Sequence, residues 1–316
     1  MKSALTPLAC SVLLTMSACS SGGGGGSNGI NTDAVAITQA NAEQIATTGL
    51  SGSEVASGDR GSVEMIFEGG STSQHADIFV KSTLSKSTGL LSNRKTESIS
   101  SNCDSGSVKL TFNDADNNQV LSSGDRASMT YYDCVEDMGA DGLIKTNGSV
   151  SMKINVINGD LTDQDISLTC DDLTLTMSDG TRSFDGDMRL VLHDDGNVIS
   201  ETVSGSKLRF THKGETGLLK DFTFSTDLDK HSSQWIQSIQ AKIASSEIDG
   251  QIALSTITEL QGTGDDYPVF GELKIEGANG SYVSLNADTG DDATVLLTVF
   301  DGSVTDSREV AWQTLD

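Results

Sequence analysis

LVLHDDGNVIS, residues 190–200, carries the clearest fold signal in the chain. Leu190 and Leu192 continue an alternation that begins at Met188, and such a period of two is typical of a strand with one buried face. The pair Asp195-Gly196 interrupts the pattern, and this dipeptide tolerates the positive φ angles of a tight hairpin turn. The segment therefore predicts two antiparallel strands joined by a short turn.

The same alternation recurs through much of the chain. It is seen at Val108-Leu110-Phe112, Val150-Met152-Ile154-Val156, Leu173-Leu175-Met177, Leu208-Phe210, Phe222-Phe224, Ile252-Leu254, Leu273-Ile275, Val283-Leu285 and Val295-Leu297-Val299. We interpret the Asp-Gly and Asn-Gly pairs as hairpin turns, at 141–142, 147–148, 158–159, 179–180, 185–186, 195–196, 249–250, 279–280 and 301–302. Short strands joined in this way form an antiparallel sheet rather than a parallel one.

These patterns predict an all-β fold. We expect a large antiparallel meander, arranged as a curved sheet, an open half-barrel or a sandwich, with a short N-terminal helix. The helix is expected at Thr38–Thr48, where Thr38 can cap the start and Gly49 can close the end. The segment from Trp235 to Ala244 fits a helix or a strand, and we favour the strand.

The first residues, MKSALTPLACSVLLTMSAC, have the layout of a bacterial export signal. Lys2 supplies a positive start, an apolar run follows, and small residues precede Cys19. The apolar run is too short to cross a bilayer. MSAC resembles the lipobox of bacterial lipoproteins, which implies cleavage before Cys19 and acylation of that cysteine. Cleavage before Cys10 would leave too short an apolar core, so we reject that site.

The predicted organisation is a signal peptide at residues 1–18, a lipidated cysteine with a Gly/Ser tether at 19–33, and a β-rich domain at 34–316. Two or more acyl chains anchor a protein stably, so a membrane is the expected partner through the acyl anchor. Ser20 after the lipid, in place of aspartate, resembles the signal for the outer membrane in Gram-negative lipoproteins. We therefore expect a lipid-anchored outer-membrane protein, on either the periplasmic or the surface face.

Composition limits the partners further. The chain has 45 acidic and 20 basic residues, for a formal net charge of −25. This charge repels nucleic acid and attracts cations, so no nucleic-acid partner is expected. Aromatic residues make up only 5 %, which disfavours a stacking platform for sugars or single-stranded nucleic acid.

Three cysteines follow Cys19, and export places them in an oxidising compartment. A hairpin centred near residue 119 would bring Cys103 and Cys134 together at its open end, so we predict a disulfide between them. Cys170 is then expected to be a buried free thiol in a strand.

Two segments resemble a known family. They are CDSGSVKLTFNDADNNQVLSSGD…YYDC at residues 103–134 and YPVFGELKIEGANGSYVSLNA…VAWQTL at the end of the chain. Both are similar to segments of uncharacterised outer-membrane lipoproteins of Gram-negative bacteria. The resemblance implies a β-rich lipoprotein and no particular activity.

Residues 114–125, DADNNQVLSSGD, form a candidate calcium loop. Asp114, Asp116 and Asn118 place oxygen atoms at loop positions 1, 3 and 5, the carbonyl of Val120 falls at position 7, and Asp125 stands at position 12. This spacing resembles the EF-hand, in which a hard cation collects oxygens from alternate residues.

Three features depart from that motif. Gln119 replaces the usual glycine, Asp125 is shorter than the usual glutamate, and strands are expected on both sides where an EF-hand has helices. The alternative is a plain loop whose Asp and Asn side chains bond their own backbone.

No catalytic signature of the H-E-x-x-H, C-x-x-C or G-x-S-x-G type is present, and we expect no enzyme. The spacings Ser92-x-x-Lys95 and Ser204-x-x-Lys207 are expected by chance in a serine-rich chain. The first function class is a non-catalytic structural or ligand-binding envelope module. The alternative is a periplasmic carrier of a lipid or other apolar ligand, which would leave an apolar concavity unfilled, whereas a structural module would bury that face.

Overall fold

The computed structural model describes residues 30–57, 96–118, 122–137, 143–160, 162–177, 180–212, 215–264 and 267–315. The predicted signal peptide and Cys19 lie outside these residues. The described helix and strands are α1 (Ala42–Ser57), β1 (Thr96–Asn102), β2 (Ser105–Asn113), β3 (Arg126–Asp137), β4 (Leu143–Ile157), β5 (Asp163–Met177), β6 (Gly180–Asp194), β7 (Val198–His212), β8 (Glu215–Asp229), β9 (Gln234–Ser245), β10 (Gly250–Thr263), β11 (Phe270–Glu276), β12 (Tyr282–Asn286), β13 (Thr294–Phe300) and β14 (Thr305–Ala311).

The strands form a single antiparallel sheet in which each strand lies beside its neighbours in sequence, and β1 and β14 are its two edges. The predicted all-β meander with a short N-terminal helix is therefore confirmed. β14 carries Asp306, Arg308 and Glu309, and charges on an edge strand discourage pairing with another chain.

One face of the sheet forms the hydrophobic core. In β4, the buried side chains of Val150, Met152 and Ile154 alternate with the exposed Ser151 and Lys153. Buried side chains from β2 to β13 and from α1 belong to one contiguous cluster. The period-two pattern in the sequence is thus the pattern of this inner face.

Two of the predicted turns are wrong. Gly148 of the Asn-Gly pair lies inside β4, and Gly186 of an Asp-Gly pair lies inside β6. Their φ angles are +92° and +142°, and the strand register shifts beside each of them. A Cβ atom on Gly148 would lie 2.2 Å from the backbone oxygen of Asp172. Glycine tolerates positive φ angles in a β-bulge as well as in a tight turn, so these glycines bend long strands rather than end them.

α1 packs against β8 to β12 and is longer than predicted. It begins at Ala42 rather than Thr38 and continues through Gly49 to Ser57. Gly49 does not end the helix but lets it approach the sheet, since a Cβ atom there would lie 2.9 Å from the Ile275 side chain. Among the described helices, none is both long and apolar enough to cross a membrane.

The ambiguous segment from Trp235 to Ala244 is the strand β9, as predicted. Ile239, Ala241 and Ile243 are buried on the inner face. β9 lies between β8 and β10, in the part of the sheet against which α1 packs.

Candidate metal centre

The predicted calcium loop connects β2 to β3. Asn113 and Arg126 face each other as the last pair of the ladder, so the loop begins and ends at adjacent positions. The next residue on each side, Asp114 and Asp125, is almost inaccessible to water, with 2 % and 0 % exposure. Strand alternation explains this arrangement, because Arg126 is exposed on the outer face and its neighbour turns inward.

Three carboxylates of this loop converge. One oxygen atom from each of Asp114, Asp116 and Asp125 lies within 4.8 Å of the other two. Calcium binds carboxylate oxygens at about 2.3–2.6 Å, so three carboxylates at this spacing can share one ion. Like charges this close repel each other, and a cation between them would offset that repulsion.

Asp125 also closes the loop. Its Oδ1 accepts a hydrogen bond from the Ala115 N–H at 2.8 Å, and its Oδ2 accepts one from the Ser122 N–H at 2.8 Å. These bonds satisfy two backbone donors that strand pairing does not reach. The Oδ2 atom also lies 3.3 Å from the Ser122 hydroxyl, so Oδ1 is the oxygen with the greater remaining capacity to bind a cation.

Asn118 lies beside the three carboxylates. Its backbone N–H donates to Asp114 Oδ1 at 3.2 Å and to Asp116 Oδ1 at 3.1 Å, and its Nδ2 donates to Asp116 Oδ2 at 2.8 Å. Its amide must turn over before the oxygen can bind an ion. The Ser122 hydroxyl, at loop position 9, donates to Asp116 Oδ2 at 3.1 Å. Val120, whose carbonyl is the remaining predicted ligand, lies outside the described residues.

Cys103 and Cys134 form a disulfide, with their Cα atoms 5.5 Å apart. The predicted pair is confirmed, but the predicted strand register is wrong. That register would place Ser105 opposite Tyr132, whereas β2 places Ser107 there and Ser105 opposite Val135. A bulge separates these two pairs, and Cys103 reaches Cys134 from the turn between β1 and β2.

Cys170 is a buried free thiol in β5, as predicted. Burial, with a smaller contribution from the charge of Asp185, raises the pKa of this thiol to about 12. Because the thiolate is the reactive form, Cys170 has the properties of a core residue.

His193, which precedes the Asp194-Asp195-Gly196 turn, has a cross-strand partner, Asp163 of β5, with 2.5 Å between Nδ1 and Oδ1. The hydrogen bond to Asp163 and its charge raise the pKa of His193 above the usual range. Sequence spacing alone does not reveal this pair, because 30 residues separate its members.

The two Ser-x-x-Lys spacings gain no support as catalytic motifs. Ser204 and Lys207 both lie in β7, a strand, whereas penicillin-recognising enzymes carry this motif on a helix. Ser92 and Lys95 lie outside the described residues.

Comparison of the chain with protein-family models, with curated proteins and with solved structures finds no match. The resemblance to outer-membrane lipoproteins therefore stays a prediction from the two segments that carry it. Function has to be argued from the site and the sheet.

Proposed function

We propose that this chain is a non-catalytic, lipid-anchored envelope protein whose β2–β3 loop is ordered by calcium. The observation that carries the calcium assignment is the convergence of Asp114, Asp116 and Asp125 within 4.8 Å, with two of the three buried. The net charge of −25 adds a field that attracts cations. The ion would order the hairpin rather than act on a substrate.

The packing of the inner face favours this function over a carrier of apolar ligands. Phe184, Phe222 and Phe224 are among its largest side chains, and less than 2 % of each is accessible to water. The unfilled concavity of a carrier would leave large side chains on this face accessible to water. The buried apolar residues on this face instead form one contiguous cluster.

Lipid anchoring rests on the signal and the MSAC sequence before the tether. Fatty-acid labelling of the chain that is lost in Cys19→Ala tests it, and labelling that persists in that variant would remove the anchor from the proposal.

Thermal melting of the full chain in detergent, first with chelator and then with millimolar calcium, tests the metal site. A loop with three carboxylates in an acidic surround fits an extracellular-type affinity, on the order of 10⁻⁴–10⁻³ M. A ten- to hundredfold excess over such a Kd would stabilise the protein by about 1.4 to 2.7 kcal/mol. Magnesium at the same concentration controls for charge screening, because Mg²⁺ requires smaller octahedral geometry.

We expect the calcium shift to disappear in Asp114→Asn with Asp116→Asn. Asp116→Asn alone, at an exposed position, serves if the double variant fails to fold. The matched control is Asp195→Asn with Asp301→Asn, which removes the same charge from two turns where each aspartate bonds its own backbone. An equal calcium shift in the loop variants, or an equal shift with magnesium, would show a plain Asp/Asn-rich turn instead.

A further inference from the structure

The outer face of β2 to β5 carries a groove of about 420 Å³. Its walls include Arg126 and Ser128 from β3 and Ser151 and Lys153 from β4. These side chains belong to the face opposite the core, because the residues between them, Ala127 and Met152, are buried. The groove therefore opens on the outer face, and the buried Ala127 and Met152 contribute to its lining.

Two cations face each other in this groove. Arg126 and Lys153 are directly opposite in the β3–β4 ladder, and both are exposed. Within the described part of the chain, neither side chain makes a hydrogen bond or an ion pair. Like charges directly opposite each other destabilise a sheet. Other cross-strand cations occur in this sheet, since Lys220 faces both Lys207 and Lys242. Arg126 and Lys153 differ from them in lining a groove that can admit an anion.

Hydroxyl groups complete the patch. Ser128 and Ser151 form the cross-strand pair two residues along from Arg126 and Lys153. Cross-strand neighbours are about 5 Å apart and residues two positions along a strand are about 7 Å apart, so the four side chains outline a patch the size of one oxyanion. Two cations and two hydroxyl donors thus point to the same region.

We infer that this groove binds a phosphate group, either free or as a phosphomonoester. The guanidinium of Arg126 offers a planar pair of donors that fits two phosphate oxygens, and Lys153 adds a point charge. Two positive charges match the doubly charged form of a phosphomonoester at neutral pH. Ser128 and Ser151 can donate to the remaining oxygens.

One carboxylate that interacts with Lys153, that of Asp165, is already paired with Arg189. Asp165 accepts two hydrogen bonds from Arg189, at 2.8 and 2.7 Å. The bonds from Arg189 hold the pKa of Asp165 below its usual range, and the charge of Lys153 contributes less. Asp165 therefore does not cancel the charge that Lys153 presents to the groove.

A second cross-strand cation pair provides a matched control. Lys207 of β7 faces Lys220 of β8. The neighbour Asp221 is bound by Lys242 at 2.8 Å, and the charge of Lys220 contributes to the lowered pKa of Asp221. Neither Lys207 nor Lys220 is part of the wall of the groove. Removing this pair therefore changes the net charge equally without touching the groove.

The test is a binding titration of the full chain in detergent, at low salt and with chelator present. Inorganic phosphate and glucose 6-phosphate are the probes, glucose is the neutral reference, and binding is followed by calorimetry. The chelator removes calcium, so no calcium bridge can account for binding of the phosphate probes. The calcium proposal can thus fail while this one holds, or the reverse.

We expect both phosphate probes to bind and glucose not to bind. Arg126→Gln with Lys153→Gln should weaken binding by about tenfold or more, since it removes both charged donors. Ser128→Ala with Ser151→Ala should weaken it by about severalfold while leaving the charges and the fold intact. Tighter binding of glucose 6-phosphate than of phosphate assigns a phosphomonoester, and the opposite order assigns phosphate itself.

Lys207→Gln with Lys220→Gln should leave the affinity within about twofold of the unchanged protein, because local hydrogen bonds dominate over a screened distant charge. An equal loss of affinity in this control variant would show that net charge alone causes the effect, and it would overturn the proposed phosphate site. Failure of the unchanged protein to bind either phosphate probe would overturn it as well.

Discussion

The β2–β3 loop and the β6–β7 turn lie at the same end of the sheet, and both are rich in aspartate. In the β6–β7 turn, Asp194 binds Lys230 at 2.5 Å, and Asp195 accepts the N–H groups of Asn197 and Val198. In the β2–β3 loop, three carboxylates instead approach one another within 4.8 Å.

The difference lies in the partners available to each acid. The Lys230 ammonium lowers the pKa of Asp194, and the backbone N–H groups of Val198 and Asn197 lower the pKa of Asp195. Among the described residues, no lysine or arginine forms an ion pair with Asp116 or Asp125. Acidic residues therefore mark a candidate cation site where their carboxylates converge, as in the β2–β3 loop.

The largest difference between the two hairpins should come from the disulfide. Cys103→Ala with Cys134→Ala removes a link that spans 31 residues of sequence and ties the β1–β2 turn to β3. We expect a loss of about 2–4 kcal/mol in the free energy of unfolding. Hydrogen exchange should rise most in β2 and β3, close to the edge of the sheet, and least in β6 and β7.

Cys170→Ala is the control for the loss of a thiol, because it leaves the disulfide intact. Urea unfolding of both variants gives the stabilities. Equal exchange in the two hairpins of the disulfide variant would show that the β2–β3 hairpin does not depend on the link.

A smaller effect should separate Asp125 from Asp195. Asp125→Asn places an amide group where a buried carboxylate accepts the Ala115 and Ser122 N–H groups, so one backbone donor loses its acceptor. This should cost about 1–3 kcal/mol even in chelator. Asp195→Asn affects an exposed turn, and we expect a smaller loss. Thermal melting without calcium measures both, and equal losses would remove the structural contrast between the loops.

The smallest effect concerns His193 beside the β6–β7 turn. The bond to Asp163 raises the folded-state pKa of His193, so the pair stabilises the fold fully below the ordinary histidine pKa of about 6.5. That contribution is lost as the pH rises through the higher folded-state pKa. His193→Gln should flatten the fall in unfolding free energy across this range. A profile unchanged by the substitution would show that the exposed pair contributes nothing measurable.

Local patterns were sufficient for most of the architecture. The alternation at Val150, Met152 and Ile154 depends only on the pleat of a strand, so it identified β4 without knowledge of its neighbours. The hairpin at Asp195-Gly196 and the strand β9 follow from equally local rules. The candidate calcium loop belongs to the same class, since its predicted ligands are close in sequence.

Long-range geometry accounts for the errors. Gly148 and Gly186 have the φ angle of a turn, but neighbouring strands continue past them and make them bulges. The bulge in β2 and β3 also shifts the register that the disulfide prediction assumed. Gly49 permits close packing on Ile275 rather than ending α1. A glycine in the sequence indicates that positive φ angles are allowed there. Whether the chain then forms a turn or a bulge depends on how the neighbouring strands pair.

The sequence by itself determined the all-β meander, the cysteine pair and the order of the loop ligands Asp114, Asp116 and Asp125, because these depend on spacing along the chain. Only the tertiary structure decided that Arg126 of β3 faces Lys153 of β4, in a groove that no local sequence motif predicts. It likewise decided that Asp163 holds His193. Cross-strand neighbours are set by register, and register depends on every bulge between them.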